Sequence, residues 1–214
     1  MICGIDEAGR GPVIGPMVVA GVWIEEEDEE KLLGAGVKDS KKLTPSKREK
    51  IASYIRDNFV HEIVVIEARD IDDLRKTLTI NELEAYVFAK VANKNFAKVY
   101  FIDSAGNDSK EFGEMFKKNL KYDCEIVCEH KADEKYAVCS AASIVAKVER
   151  DRQIKKISEE LEKVLNKPLG SGYPSDEKTI EFIREWFNRF NKFPPYTRKS
   201  WKTLEKIKQK KLEV

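Results

Sequence analysis

Four carboxylates stand where apolar strands should be closing on core residues. Asp6 and Glu7 end ICGIDE, Asp103 ends KVYFID, and Asp133 lies in HKAD, just after the apolar CEIVC. A carboxylate inside or at the end of a buried strand is costly unless it is protonated, paired or bound to a cation. Taken singly, each could be a strand-end cap or half of an ion pair. Taken together they need a common compensation. In open α/β sheets the strand C-termini converge on a crevice, so strands ending in Asp6 and Asp103, if adjacent and parallel, would bring both to one place. Three or four carboxylates sharing a site repel one another, and a divalent ion relieves them; oxygen-only ligands suit Mg²⁺ or Mn²⁺ better than zinc. Two such ions about 4 Å apart can activate water on one side and stabilise a leaving oxygen on the other, which is the arrangement for phosphodiester hydrolysis. One geometric difficulty attaches to Asp6 and Glu7. Neighbouring strand residues face opposite sides, so both serve one site only if the strand ends or twists there, for which the following AGRG leaves room.

The loop Gly9-Arg10-Gly11 admits three readings. As a dinucleotide fingerprint it fails, because the glycines run G-x-G-x-x-x-G and a strand rather than a helix follows. As a turn it is adequate. As a contact loop, two glycines beside an arginine let backbone N–H groups approach a sugar or phosphate closely.

The elements that must position these residues can be read from periodicity. ICGIDE and PMVVAGVWI are strands on either side of AGRGPVIG. The acidic run from Glu25 to Glu30 is a solvated turn or helix start. Thr44 and Pro45 open a helix to about residue 58, VHEIVVIE (60–67) is a third strand, and 81–93 is helical with one apolar face. KVYFID (98–103), a helix near 109–120 and CEIVC follow, then a long helix over about 139–165 that begins in the small residues of CSAASIVAKV. GSGYPSD offers Ser175 as a cap for the next helix, and a basic helix spans about 198–212. Three early strands with short links point to antiparallel pairing, and the later strand–helix–strand unit needs a parallel crossover. A mixed five-stranded α/β sheet flanked by helices results, with a small helical C-terminal appendage. The expected division is 1–170 as the main domain and 171–214 as a C-terminal segment of it or beside it.

Composition sets the class. With 214 residues, 42% hydrophobic and 36% charged, the chain can bury one ordinary core and solvate its outside, which excludes disorder and a disulfide-stapled miniprotein. No stretch approaches the roughly 18 to 20 apolar residues of a membrane span, and MICGIDEAGRG lacks the features of a secretory leader, so a cytoplasmic protein without a membrane partner is expected. Cys124 and Cys128, near His130, lie in a strand; at four residues apart they stand about 13 Å from each other, too far to share one zinc or a disulfide.

DEAGRG at 6–11, DSKKL at 39–43, Asp103 ending FID, HKAD at 130–133, AASIVAKVERD at 141–151 and GSGYPSD at 170–176 together resemble ribonuclease HII, in its archaeal form. The resemblance runs through nearly the whole chain in the family's order. It implies a ribonuclease H-like fold and an endonuclease, requiring Mg²⁺ or Mn²⁺, that cuts the RNA strand of RNA/DNA hybrids and the 5′ side of ribonucleotides embedded in duplex DNA, leaving 3′-hydroxyl and 5′-phosphate ends. It implies that Asp6, Glu7, Asp103 and Asp133 are the catalytic metal ligands. It further implies that Gly9, Arg10 and Gly11 sense the 2′-hydroxyl, the group that distinguishes RNA from DNA, and that Tyr173 packs at the ribose-to-deoxyribose junction. Lys41, Lys147 and Ser143 are expected phosphate contacts, Ser143 with help from a helix N-terminus. One departure stands out: where many bacterial relatives carry a histidine after the GYP segment, this chain has Tyr196, Thr197, Arg198, Lys199, Ser200 and Trp201. Proton transfer is then left to metal-bound water or the substrate. The rival readings are a non-catalytic hybrid-binding module, or a DNase or strand transferase on the same fold.

The net charge of +1 conceals a polar layout. Residues 187–214 hold nine basic residues against Glu205 and Glu213, a net of +7, which leaves −6 for the rest. A monomer that lays its basic C-terminal helix along a duplex backbone is expected. Gln209 and Leu212 have the spacing of a sliding-clamp peptide but no paired aromatics follow, which argues against clamp binding through that tail.

Overall fold

The computed structural model describes residues 1–38, 43–106 and 108–212, with side chains described as far as Lys208. The chain divides into two compact units, one of residues 1–8, 18–65 and 78–149, the other of 9–17, 66–77 and 150–214. A single cut between 170 and 171 does not describe this division. The second unit also takes in the loop after the first strand and a short segment near 70, and its boundary falls inside the long helix.

The first unit is built on a sheet of five strands, β1 (Ile2–Ala8), β2 (Met17–Ile24), β3 (Val60–Ile66), β4 (Val99–Asp103) and β5 (Glu125–Glu129), in the order β3-β2-β1-β4-β5. β1 runs antiparallel to β2, from Ile2↔Ile24 to Ala8↔Val18. It runs parallel to β4 from Ile2↔Val99 to Ile5↔Ile102, and β4 runs parallel to β5 up to Asp103↔Glu129. Every residue of β2 is buried, as its unbroken apolar run MVVAGVWI requires of a strand covered on both faces.

The helices of this unit are α1 (Glu29–Ala35), α2 (Pro45–Asn58), α4 (Ile80–Ala92), α5 (Ser109–Lys118), α6 (Ala132–Lys135) and the start of α7 (Ala137–Leu165), with α3 (Ala68–Leu74) lying in the second unit. Thr44 caps α2 by accepting from the Lys47 N–H. Thr79 and Glu82 close a reciprocal capping box on α4. α5 buries Phe112 and Phe116, each contributing about 1.5–3 kcal/mol, far more than the helix propensity of its polar face. The small residues that open α7 have a steric reason. A Cβ on Gly4 would stand 2.3 Å from the Val138 carbonyl carbon, so helix backbone lies directly on the central strand. Ala137, Val138, Ala141, Ala142, Val145 and Ala146 then pack into the core with Ile2, Ala8, Val18 and Val22.

The second unit packs Val13 and Ile14 against Ile157, Leu161 and Leu165 of α7, Phe182, Ile183 and Trp186 of α8 (Glu177–Phe190), and Leu204 and Ile207 of α9 (Lys202–Leu212). Its boundaries correct two expectations. Asp176, not Ser175, caps α8: one carboxylate oxygen accepts from the Lys178 N–H and the other from the Ser171 N–H and hydroxyl. The last helix begins at Lys202 rather than near 198, because residues 196–201 are bonded to the loop after β1. The acidic run resolves into a 3₁₀ turn, Glu26–Asp28, followed by α1. α3 and α6, of seven and four residues, are too short to show a helical period.

Candidate functional site

The register of β1 and β4 carries two carboxylates to one point. Their last paired residues are Ile5 and Ile102, so Asp6 and Asp103 are the next positions on adjacent parallel strands. Asp133 arrives from α6. Lys131, at φ 59°, turns the chain sharply after β5, and the Ala132 N–H donates to Asp103 Oδ1 at 3.4 Å. Asp6, Asp103 and Asp133 thus each offer an oxygen within 4.8 Å of the others; Asp6 and Asp133 are buried and Asp103 is half-buried.

Glu7 lies outside this group of three. Gly4 faces α7 and side chains two apart share a face, so Asp6 is on the α7 side and Glu7 on the opposite one. There the strongest charge acting on it is Glu84 of α4, a fully buried carboxyl that the sequence reading overlooked. The signal was available: Glu84 falls on the helical stripe of Val87, Phe88 and Val91, where a core residue belongs. The Glu7 N–H donates to Asp6 Oδ1 at 2.7 Å, and the Glu7 carboxyl also comes within reach of the Asp6 carboxyl, whose charge adds to that of Glu84 in raising it.

Electrostatics show what the cluster lacks. Burial, then repulsion from Asp103, pushes the Asp6 carboxyl up to about 7. Burial and Asp133 raise Asp103, and burial and Glu84 raise Glu7. Lys147 offsets part of this charge: its ammonium stands 3.9 Å from Asp133 and donates to Ser143 Oγ at 2.6 Å, and the Ser143 hydroxyl in turn bonds Asp6. One lysine against three carboxylates leaves a deficit that a divalent cation fits, and the donors are all oxygen. Ser143, an expected phosphate contact, is fully buried at the seventh position of α7, where its hydroxyl bonds Asp6. Lys147 is partly exposed beside the cluster. Lys41 lies outside the described residues.

The other expected site residues belong to the second unit. Gly9 has φ +85° and a Cβ there would stand 2.7 Å from the Pro16 carbonyl oxygen, so a side chain is excluded on both counts. A Cβ on Gly11 would touch the Tyr173 ring at 3.7 Å, which places loop and tyrosine side by side. The Arg150 guanidinium lies 5.0 Å from the centre of the Tyr173 ring and donates to the Ser171 carbonyl at 2.5 Å. Arg150 and Arg198, both buried, escaped the sequence reading. Position 150 does fall on the α7 stripe of Ile154, Ile157 and Leu161, whereas nothing in YTRKS marks Arg198 as interior. Neither histidine belongs to the cluster: the ring Nδ1 of His61 bonds the Phe59 carbonyl and that of His130 the Ser104 carbonyl.

Comparison with known proteins agrees with this geometry. Residues 3–204 match the family model described as Ribonuclease HII. A ribonuclease HII of Pyrococcus horikoshii is 42% identical over 98% of this chain and 93% of its own length. The crystal structure of ribonuclease H2 from Pyrococcus horikoshii OT3 superposes with a TM-score of 0.91 at 41% identity, covering 100% of this chain and 99% of that one. That of a PCNA:RNase HII complex from Archaeoglobus fulgidus gives 0.88 at 38% identity, with the same coverage.

Proposed function

Because the chain belongs to the ribonuclease HII family, and is therefore a ribonuclease H endonuclease of a divalent-metal-dependent kind, we propose that it cuts the RNA strand of RNA/DNA hybrids and the 5′ side of ribonucleotides embedded in duplex DNA. The observation that supports this best is the meeting of Asp6, Asp103 and Asp133 within 4.8 Å.

In this reading Asp6, Asp103 and Asp133 hold the metal, Mg²⁺ or Mn²⁺, with Glu7 contributing from the adjoining position. A divalent cation there supplies Lewis-acid charge, which eases ionisation of the attacking water and departure of the 3′-oxygen. The chain's own residues do the rest. Ser143 fixes Asp6 through its hydroxyl, and Lys147 is near enough to Asp133 to hold that carboxylate and exposed enough to meet a phosphate. With no histidine in the cluster, the proton of the attacking water passes to bulk water or to a phosphate oxygen of the substrate. The Gly9-Arg10-Gly11 loop and Tyr173 read the 2′-hydroxyl, which gives selectivity without taking part in bond cleavage.

No helix among the described residues is long and apolar enough to cross a membrane, and a monomer working in the cytoplasm completes the reading. The Archaeoglobus protein assembles with PCNA. Here the side chains of Gln209 and Leu212 lie outside those described, so co-elution with a sliding clamp is the direct test of that partner. The function itself is tested with an end-labelled duplex carrying one ribonucleotide, incubated with Mg²⁺. A cut on its 5′ side with a 3′-hydroxyl end is expected. An uncut duplex would favour a silent binding module, and equal cutting of all-DNA duplex a DNase.

A further inference from the structure

The loop after β1 is held from its carbonyl side by a single residue and its neighbours. Arg198 is fully buried, and its guanidinium spends its three nitrogens on three backbone oxygens: Nε on Gly15 at 2.9 Å, Nη1 on Arg10 at 2.8 Å and Nη2 on Gly9 at 2.6 Å. Its backbone N–H donates to the Val13 carbonyl at 2.8 Å, and Trp201 Nε1 donates to Gly11 at 3.1 Å. The carbonyls of Gly9, Arg10, Gly11, Val13 and Gly15 are therefore all taken by residues 198–201. Asp72 of α3 pins the same segment by accepting from the Lys199 and Ser200 N–H groups at 2.8 and 2.9 Å.

A buried guanidinium bonded to neutral carbonyls is an expensive way to fasten a turn. An ordinary loop of this length closes on its own hydrogen bonds, and removing a cation from water costs several kcal/mol. The rigid planar fork does, however, something no neutral group can. It holds three carbonyl oxygens at once by directional bonds from one rigid group, and so orients the peptide units that carry them. We propose that Arg198 is a positioning residue that sets the backbone of Gly9-Arg10-Gly11 for recognition of the ribose 2′-hydroxyl, and thereby determines the preference for ribonucleotides. This rests on the reading of that loop as the ribose sensor.

The test compares cleavage of a duplex holding one ribonucleotide with the same duplex holding a deoxyribonucleotide there, for the full-length protein in Mg²⁺. If the wild type shows no preference, the sensor reading itself fails. Given that preference, Arg198→Lys, which keeps the charge and loses the fork, should lower kcat/KM at the ribonucleotide about tenfold to a hundredfold, the usual result of misplacing a contact group by an ångström. The loss should lie in kcat more than KM, and Arg198→Ala should regain junction cleavage with millimolar ethylguanidinium. Trp201→Phe, which keeps a ring over the guanidinium but drops the bond to Gly11, should cost about two- to tenfold, one hydrogen bond's worth. Unchanged kcat and KM in a folded Arg198→Lys protein would overturn the proposal. Should Arg198→Lys fail to fold, an unchanged ribonucleotide preference in Trp201→Phe would do the same.

Discussion

At the carboxylate cluster, negative side chains are buried beside one another and each raises the proton affinity of the next. At the loop after β1, the positive Arg198 guanidinium is buried with each of its nitrogens bonded to a backbone carbonyl. The two regions bury charge of opposite sign under opposite rules. The loop is satisfied by the protein itself and is complete as it stands. The cluster has Lys147 as a partial counter-charge and, in the proposed function, a divalent cation as the remainder. If the proposed function holds, a site that binds and releases is left short of counter-charge, whereas a site that keeps one shape is fixed by its own bonds.

The most damaging way to test that contrast is to remove a ligand. Asp6→Asn or Asp103→Asn should lower cleavage of a single-ribonucleotide duplex by about 10³-fold or more, since metal Lewis-acid stabilisation is worth several kcal/mol. Circular dichroism should report an unchanged fold. Full activity in either variant would remove the cluster from the mechanism. Tyr173→Ala comes next. Its ring lies between Gly11 and the Arg150 guanidinium, so its loss should reduce junction cleavage about ten- to a hundredfold, the scale of one stacking contact, and leave cutting within a long hybrid less affected. Equal losses on both substrates would mean that the second unit is not where selectivity lies.

The two regions also differed in how much of them the sequence disclosed. Strand-end carboxylates are conspicuous because polar residues there break an apolar pattern, and the order of strands and crossovers dictates which ends can meet. Asp6 and Asp103 were legible for that reason, and Asp133 followed from its place after CEIVC. The strand's two-residue period starts Asp6 and Glu7 on opposite faces, but how near the Glu7 carboxyl comes to Asp6 and to Glu84 depends on where β1 ends and how α4 packs, which no local pattern states. Arg198 was hidden for a different reason. Its partners are backbone oxygens nearly two hundred residues earlier, and a carbonyl leaves no mark in the amino-acid code. Long-range side-chain-to-backbone bonds are the part of a fold that sequence reading sees least.

A smaller effect separates the basic C-terminal stretch from both sites. Lys202, Lys206 and Lys208, on α9, should contribute phosphate neutralisation and nothing to selectivity. Changing Lys206 and Lys208 to Gln should weaken hybrid binding evenly across sequences and reduce the slope of log affinity against log salt by about 1 for each phosphate that is no longer neutralised. A slope identical to the wild type would show that the stretch does not lie along the duplex.

The smallest expected effect is on stability, and it follows from the sign of the charge at the cluster. Asp6 has an ordinary value of 3.8 and is pushed up to about 7 in the fold, so between those pH values the folded chain holds more protons than the unfolded one. Stability without metal therefore falls as pH rises from about 4 to 7 and stays reduced above it, where folding must bury an ionised group. Asn at position 6 carries no such penalty. In EDTA, Asp6→Asn should melt with the wild type near pH 4 and a few degrees above it at pH 8, at about 2–4 °C for each kcal/mol relieved in a chain of this size. Mg²⁺ should raise the wild-type melting temperature and narrow that gap, because it binds the folded state of the chain that still has the carboxylate. The wild-type guanidinium at position 198 adds no comparable slope over this range, since burial lowers it only to about 9 and its acceptors are carbonyls that do not titrate. Parallel melting curves for Asp6→Asn and the wild type across this range would mean that the cluster is not held at a cost, and the contrast between the two regions would disappear.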